Sequence, residues 1–180
     1  MIAKTSISYE TQPDSHDTGQ VQVSLIAFEK NIYSQVNTSD GAAGLIINDV
    51  GEILLIQSVR PVVGEISWEI PRGGIKSGET PAVAAARALL EKTSFVALSN
   101  HLLSLGFMNP DTEILSAKLH MFLHKTSQPR YAMSYVPDGV EVKAIKWVHK
   151  NRVIAAIRTN EITDSVTIAT LGKAHLLGVI

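Results

Sequence analysis

Residues 73–95 read "GGIKSGETPAVAAARALLEKTSF": a glycine pair, a third glycine before an acid, Thr-Pro, and then an alanine-rich run. Thr80 has the side chain of a good N-cap, and Pro81 suits the first helical position, where a missing N–H is no loss. The alanines at 82, 84, 85, 86 and 88 favour helix strongly. Gly73, Gly74 and Gly78 permit backbone shapes closed to other residues, or close approach of a ligand. On this helix Ala88, Glu91 and Lys92 share a face, and Arg87 stands four residues before Glu91, a pairing distance. The stretch reads as a built turn that opens a helix, an arrangement that delivers side chains to a metal or a phosphate.

Working outward, the flanking sequence is rich in strands. "QVQVSLIAF" (20–28) alternates apolar and polar residues, and "NIYSQV" (31–36) follows after "EK" as a hairpin partner. "AAGLIIND" (42–49) and "VGEILLIQSVR" (50–60) are joined around Asn48–Gly51, another hairpin signal. Residues 60–79 read as a loop leading to the helix. Beyond it, "HLLSLGFM" (101–108), "AKLHMFLHK" (117–125) and "VEVKAIKWV" (140–148) read as strands, separated by turn-rich "NPDTE" and "QPRYAMSYVPDG". The end is helical. "NRVIAAIR" (151–158) is short, and 162–178 places Val166, Ala169, Lys173, Ala174 and Leu177 at helical spacing, with Thr163 or Asp164 as cap. Many strands with one central helix and terminal helices imply an α+β fold, a mixed sheet covered by helices. No internal repeat or low-complexity tract interrupts it.

Composition bounds the function. A chain of 180 residues, 45% hydrophobic and 18% charged, is long enough to bury a substantial core and too apolar for disorder. A formal net charge of −1 argues against broad attraction to nucleic acid or anionic lipid. With no cysteine there is no disulfide, thiolate metal site or thiol nucleophile. The start carries no leader pattern, and no run approaches the ~18 apolar residues of a membrane span. The expectation is a soluble, cytoplasmic protein with neither nucleic acid nor membrane as partner.

The spacing in residues 73–95 resembles the Nudix box. That motif runs from a glycine through five residues to a glutamate, then seven more to Arg-Glu, followed by a bulky residue, paired glutamates, a glycine and a bulky residue. Gly73, Glu79, Arg87, Leu89, Glu91 and Phe95 stand on their positions. "WEIPRGGIKSGETP" (68–81) looks like the version found in ADP-ribose pyrophosphatases and related nucleoside diphosphate sugar hydrolases. "GFMNPDTEILSAKLHMFL" and "EITDSVTIATL" are similar to that subgroup's later strand pair and closing helix, so the likeness covers residues from about 42 to 178. It implies a Nudix-type α/β/α sandwich over residues 41–180, preceded by an antiparallel N-terminal strand region, 1–40, with which such enzymes commonly form a homodimer.

Three positions depart from the motif. Ala88 stands for the glutamate after the arginine, Lys92 for the second of the paired glutamates, and Ser94 for the glycine. In the family those helix carboxylates hold Mg²⁺ against a pyrophosphate. Glu91 is the member of that trio that is kept. An inward Lys92 would repel a cation, by roughly 4 kcal/mol per unit charge at ~4 Å and an effective dielectric of ~20, or attract a phosphate.

The resemblance implies that Glu79 and Arg87 brace the turn, that Arg60 and Glu69 lie at the ligand with the Gly73 and Gly74 backbone, and that a loop acid such as Glu141 serves catalysis. Bland readings stand beside these. Glu91 is equally a salt partner of Arg87, Arg60 a solvated loop charge, Glu69 a charged strand end, Trp68 a core residue and Glu141 a strand-surface charge. His120 and His124 share a strand face and have no third histidine placed to complete a metal site. Glu10, Asp14 and Asp17 form no known spacing.

The primary expectation is a Nudix-family protein that binds a nucleoside diphosphate derivative such as ADP-ribose, with weak or lost Mg²⁺-dependent hydrolysis. The alternative is an active pyrophosphatase for ADP-ribose or a nucleotide sugar that uses Glu79, Glu91 and Glu141. A partner-binding protein without a pocket ranks last, because "WEIPRGG" and Arg60 are kept.

Overall fold

The computed structural model describes residues 3–5, 22–28, 30–127 and 141–180. Glu10, Asp14 and Asp17, and the turn-rich segment 128–139, lie outside the described residues.

Strands β1 (Ala3–Thr5), β2 (Gln22–Phe28) and β3 (Asn31–Asn37) form an antiparallel sheet in that order. The expected hairpin is there, with Phe28 paired to Asn31 across the turn. This sheet is tied to the main body where the Val36 N–H donates to the Ile114 carbonyl at 2.8 Å and the Ser116 N–H to the Val36 carbonyl at 3.2 Å.

The main sheet contains β4 (Gly41–Asn48), β5 (Glu52–Arg60), β6 (Glu65–Glu69), β7 (Arg72–Gly74), β8 (Leu103–Met108), β9 (Leu119–Thr126) and β10 (Val142–His149). Its order is β10-β5-β4-β9-β8, with β4 and β9 parallel and the other pairs antiparallel. The turn between β4 and β5 forms as the sequence implies. Gly51 sits at φ 79°, and Asn48 accepts the Glu52 N–H through Oδ1 at 2.8 Å while donating to the Glu52 carboxylate.

Beyond that turn the two strands part, and their Cα register holds only at Ile47 and Ile53. β6 then pairs along β5, and β7 pairs with the start of β4. Residues 65–69 and 72–74, expected within a loop, are therefore strands lodged at the fork. They escape sequence reading because each is short and they are separated by Pro71, so neither shows a sustained alternation.

Alternation on β4, β5 and β9 sends side chains to two buried faces. On one face Ala43, Leu45, Ile47, Leu55, Met121 and Leu123 pack with α2 (Lys150–Arg158) and α3 (Ser165–Leu176) through Val153, Val166, Leu171 and Ala174. On the other, Ala42, Ile46, Leu54 and Phe122 pack with α1 (Pro81–Thr93) through Ala84, Ala85 and Leu89. Helices cover both faces of a mixed sheet, which is the α/β/α sandwich anticipated.

Helix ends follow the sequence closely. Thr80 accepts the Val83 N–H at 3.3 Å with Pro81 as the first helical residue, and of the two candidates Asp164 caps α3, accepting the Thr167 N–H at 2.9 Å. The inward face of α3 is displaced from the one expected. Thr167 and Thr170 are buried while Leu177 is exposed. Both hydroxyls are satisfied: Thr170 donates to the Val166 carbonyl at 2.7 Å, and Thr167 donates to Asp164 while accepting the Ile70 N–H at 3.0 Å.

Ser94 closes α1 in the left-handed region, at φ 56°, with its N–H on the Leu90 carbonyl at 2.8 Å. A Cβ there costs about 1 kcal/mol relative to glycine. Ser94→Gly is expected to raise stability by roughly 0.5–1 kcal/mol, less the entropy that glycine adds to the unfolded chain. Urea unfolding measures this, and an unchanged or lowered midpoint would contradict the strain.

Candidate functional site

The glycine turn, the start of α1 and the fork between β4 and β5 meet in one region. Gly78 takes φ 79°, which lets the chain reverse just before Glu79 and Thr80. Gly73 serves by closeness, since a Cβ there would lie 3.3 Å from the Cβ of Ala88. Ala88 is itself fully buried, so β7 and α1 touch at the position where the resemblance puts a metal-binding glutamate.

Arg87 braces this turn. Its Nε donates to Glu79 Oε1 at 2.7 Å, and its Nη2 donates to Glu79 Oε2 at 2.8 Å and to the Gly74 carbonyl at 2.7 Å. The Lys76 N–H adds a bond to Glu79 at 2.9 Å. The remaining Arg87 nitrogen, Nη1, donates to Glu91 at 3.1 Å. Glu79 thus ties the turn to the helix, and Glu91 extends outward as a salt partner of the same arginine.

A second array of charges lies beside it. Glu69, at the end of β6, is 1% exposed. Arg60 grips it with Nε at 2.9 Å and Nη2 at 2.5 Å, while Arg72 Nη2 lies 3.3 Å from the same Oε2 that Arg60 Nη2 binds. A buried carboxylate is tolerable only when paired in this way. Arg72 reaches onward to Asp164 at 2.7 Å, and Arg60 to Glu141 at 2.9 Å. Glu141 in turn receives the Lys92 ammonium. Six side chains therefore alternate in sign: Lys92, Glu141, Arg60, Glu69, Arg72, Asp164. They join the end of α1, the approach to β10, β5, β6, β7 and the cap of α3.

The fold brings the residues singled out by the resemblance into this region. Arg60, Glu69, Glu141 and Lys92 form one array, and Gly73, Gly74, Glu79, Ala88 and Glu91 line the adjoining turn and helix. Arg72 and Asp164 were not foreseen as parts of it. The signal that could have found Arg72 is its three-residue spacing from Glu69, and Asp164 read only as a cap. Trp68 packs against the core, with the Lys146 ammonium 5.0 Å from its ring centre. His120 lies 3.6 Å from Asp40, and His124 sets its ring edge-on to Phe95. Two cavities, of about 400 and 530 Å³, lie elsewhere, one against Asn48, Gly51 and Lys150 and the other against Tyr33, Gln35 and Glu113.

The electrostatics follow from these pairings. The Arg87 hydrogen bonds, helped by the Lys76 N–H, push the Glu79 pKa down to about 2. Burial alone would raise the Glu141 pKa, but the Lys92 ammonium and the Arg60 guanidinium together hold it below the ordinary carboxylate value.

These features define an α/β/α sandwich built around a glycine turn and the helix it opens. A NUDIX domain profile matches residues 38–169, most of the chain, which belongs to the Nudix family. Over 75 residues it is 37% identical to the 8-oxo-dGTP diphosphatase of Haemophilus influenzae, covering 42% of this chain and 55% of that protein. Over 62 residues it is 34% identical to the RNA pyrophosphohydrolase of Rickettsia prowazekii, covering 34% and 37%. The matched part thus spans about half of the first relative and little over a third of the second. A crystal structure of an ADP compounds hydrolase shares the fold with a TM-score of 0.67 at 18% identity, covering 98% of this chain and 97% of that one.

The family generally uses a divalent metal such as Mg²⁺. That ion is held by one or two carboxylates together with phosphate and water oxygens, and is favoured where those carboxylates present net negative charge to it. The acids here do not fit this demand. Glu79 and Glu91 face Arg87, Glu69 faces Arg60 and Arg72, and Glu141 faces Lys92 and Arg60. Among the described residues no three of His, Cys, Asp and Glu converge to hold an ion.

The Glu79 pairing has a pH signature. Since folding lowers its pKa from 4.5 to about 2, ionised Glu79 favours the folded state fully above pH ~4.5. That contribution fades as pH falls toward ~2. A carboxyl ¹³C titration is expected to show a Glu79 midpoint near 2, returning toward 4.5 in Arg87→Met. A wild-type midpoint already at the ordinary value would mean that the brace does not persist in solution.

Proposed function

We propose that this protein binds a nucleoside diphosphate derivative such as ADP-ribose and that its Mg²⁺-dependent hydrolysis is weak or lost. The observation that carries the reading is the Lys92–Glu141 ion pair. An ammonium, itself satisfied by a carboxylate, stands where the resemblance puts a metal-binding glutamate. Family membership supports a nucleotide-type ligand, as do the names of the relatives, which speak of 8-oxo-dGTP, RNA and ADP compounds. In this reading Arg60 and the Gly73–Gly74 backbone contribute to ligand binding, while Glu69 acts by holding Arg60 in place.

The family itself favours the second reading, an active pyrophosphatase using Glu79, Glu91 and Glu141, with Mg²⁺ on Glu91. One assay separates the two. Incubation with ADP-ribose and Mg²⁺ is expected to give calorimetric binding without release of AMP, and Mg²⁺-dependent AMP formation would favour the enzyme. Restoring the acids sharpens the comparison. Ala88→Glu with Lys92→Glu is expected to lower the thermal midpoint in EDTA, because a buried charge is left unpaired. Adding Mg²⁺ should raise that midpoint and bring hydrolysis. If the double variant binds no metal, the two positions do not face a common site.

We also propose a homodimer formed through the N-terminal sheet, which leaves Ile32 71% exposed and Val23 and Tyr33 about two-fifths exposed. Light scattering should give twice the chain mass, and Ile32→Lys should shift it toward the monomer. A wild-type monomer at micromolar concentration rejects this assembly.

A further inference from the structure

Two cations from separate elements converge on the Glu141 carboxylate. Lys92 reaches it from the last turn of α1 to Oε2, and Arg60 reaches it from the end of β5, with Nη1 2.9 Å from Oε1. Each oxygen thus meets a different cation. The six-membered array is neutral as it stands, because Lys92, Arg60 and Arg72 balance Glu141, Glu69 and Asp164. Within it the members differ sharply in freedom. Glu69 is buried, whereas the Glu141 side chain is 41% exposed. An ion pair so open to water contributes little, so Glu141 is the carboxylate that leaves most cheaply. Its departure gives the array one net positive charge and uncovers an ammonium beside a guanidinium. A compact point charge next to a planar fork is a donor set that phosphate oxygens match.

We propose that Lys92 and Arg60 form a phosphate site that needs no divalent cation, and that Glu141 is the internal anion which fills it until a ligand phosphate takes its place. The proposal rests on the nucleotide-binding reading and goes beyond it. The Lys92 ammonium offsets part of the diphosphate charge, a task otherwise left to a metal, and ligand competes with a carboxylate of the protein's own. Arg60 keeps its grip on Glu69 throughout, so the guanidinium remains oriented when Glu141 swings out.

The test is calorimetric titration of inorganic pyrophosphate and of ADP-ribose into wild type, Lys92→Ala and Glu141→Gln, each in EDTA and in Mg²⁺. Both probes are expected to bind wild type in EDTA, with no tightening by Mg²⁺. Lys92→Ala should weaken binding about tenfold or more, and the near-isosteric Glu141→Gln should tighten it several-fold. Opposite signs matter, because the two changes break the same ion pair and a purely structural role would move both the same way. Weaker binding in Glu141→Gln overturns the proposal even if Lys92→Ala fails to fold. Binding of ADP-ribose only with Mg²⁺ overturns it too, but leaves the nucleotide-binding reading intact. Absence of ADP-ribose binding in both media removes both.

Discussion

A carboxylate 1% exposed must find its compensation inside the protein, and at Glu69 that demand organises everything nearby. Arg60 and Arg72 answer it from β5, one arm of the fork, and β7, lodged within it. Each arginine then turns its remaining nitrogens to a further acid, Glu141 or Asp164, so a single buried charge recruits side chains from distant parts of the chain. The glycine turn sits over this array because β7 carries both Arg72 and the Gly73 contact with α1.

Two separate electrostatic units result. In one, Arg87 holds Glu79, Glu91 and the Gly74 carbonyl, a brace that fixes the turn to the helix. In the other, charges alternate from Lys92 to Asp164. A carboxylate at 92 would face Glu141 with like charge and call for a cation between them; the lysine supplies that cation covalently. The helix end is thus compensated from within.

Much of this was legible in the sequence. The spacing of Gly73, Glu79, Arg87 and Glu91 gave the family, and capping by Thr80 and Asp164 followed from local chemistry that needs no knowledge of the rest of the fold. Apolar runs revealed β4, β5 and β9. What stayed hidden was non-local. Nothing near Glu141 signals that its partner Arg60 lies 81 residues away, nor that Arg72 meets an acid at a separation of 92. β6 and β7 were hidden for another reason: short strands broken by a proline have no period to read, and the fork between β4 and β5 holds them in place. On α3 the inward face was misjudged because Thr167 and Thr170 are polar by type yet internally satisfied.

The same separations bear on how the chain comes together. Arg60, Glu69 and Arg72 lie on neighbouring short segments of the chain and can meet early, but as a trio they carry one surplus positive charge. Glu141 and Asp164 follow much later in the sequence, and contacts of that range form late. Until those acids dock, the glycine turn stands beside an uncovered cationic patch, and neutrality reaches this region only with β10 and α3 in place.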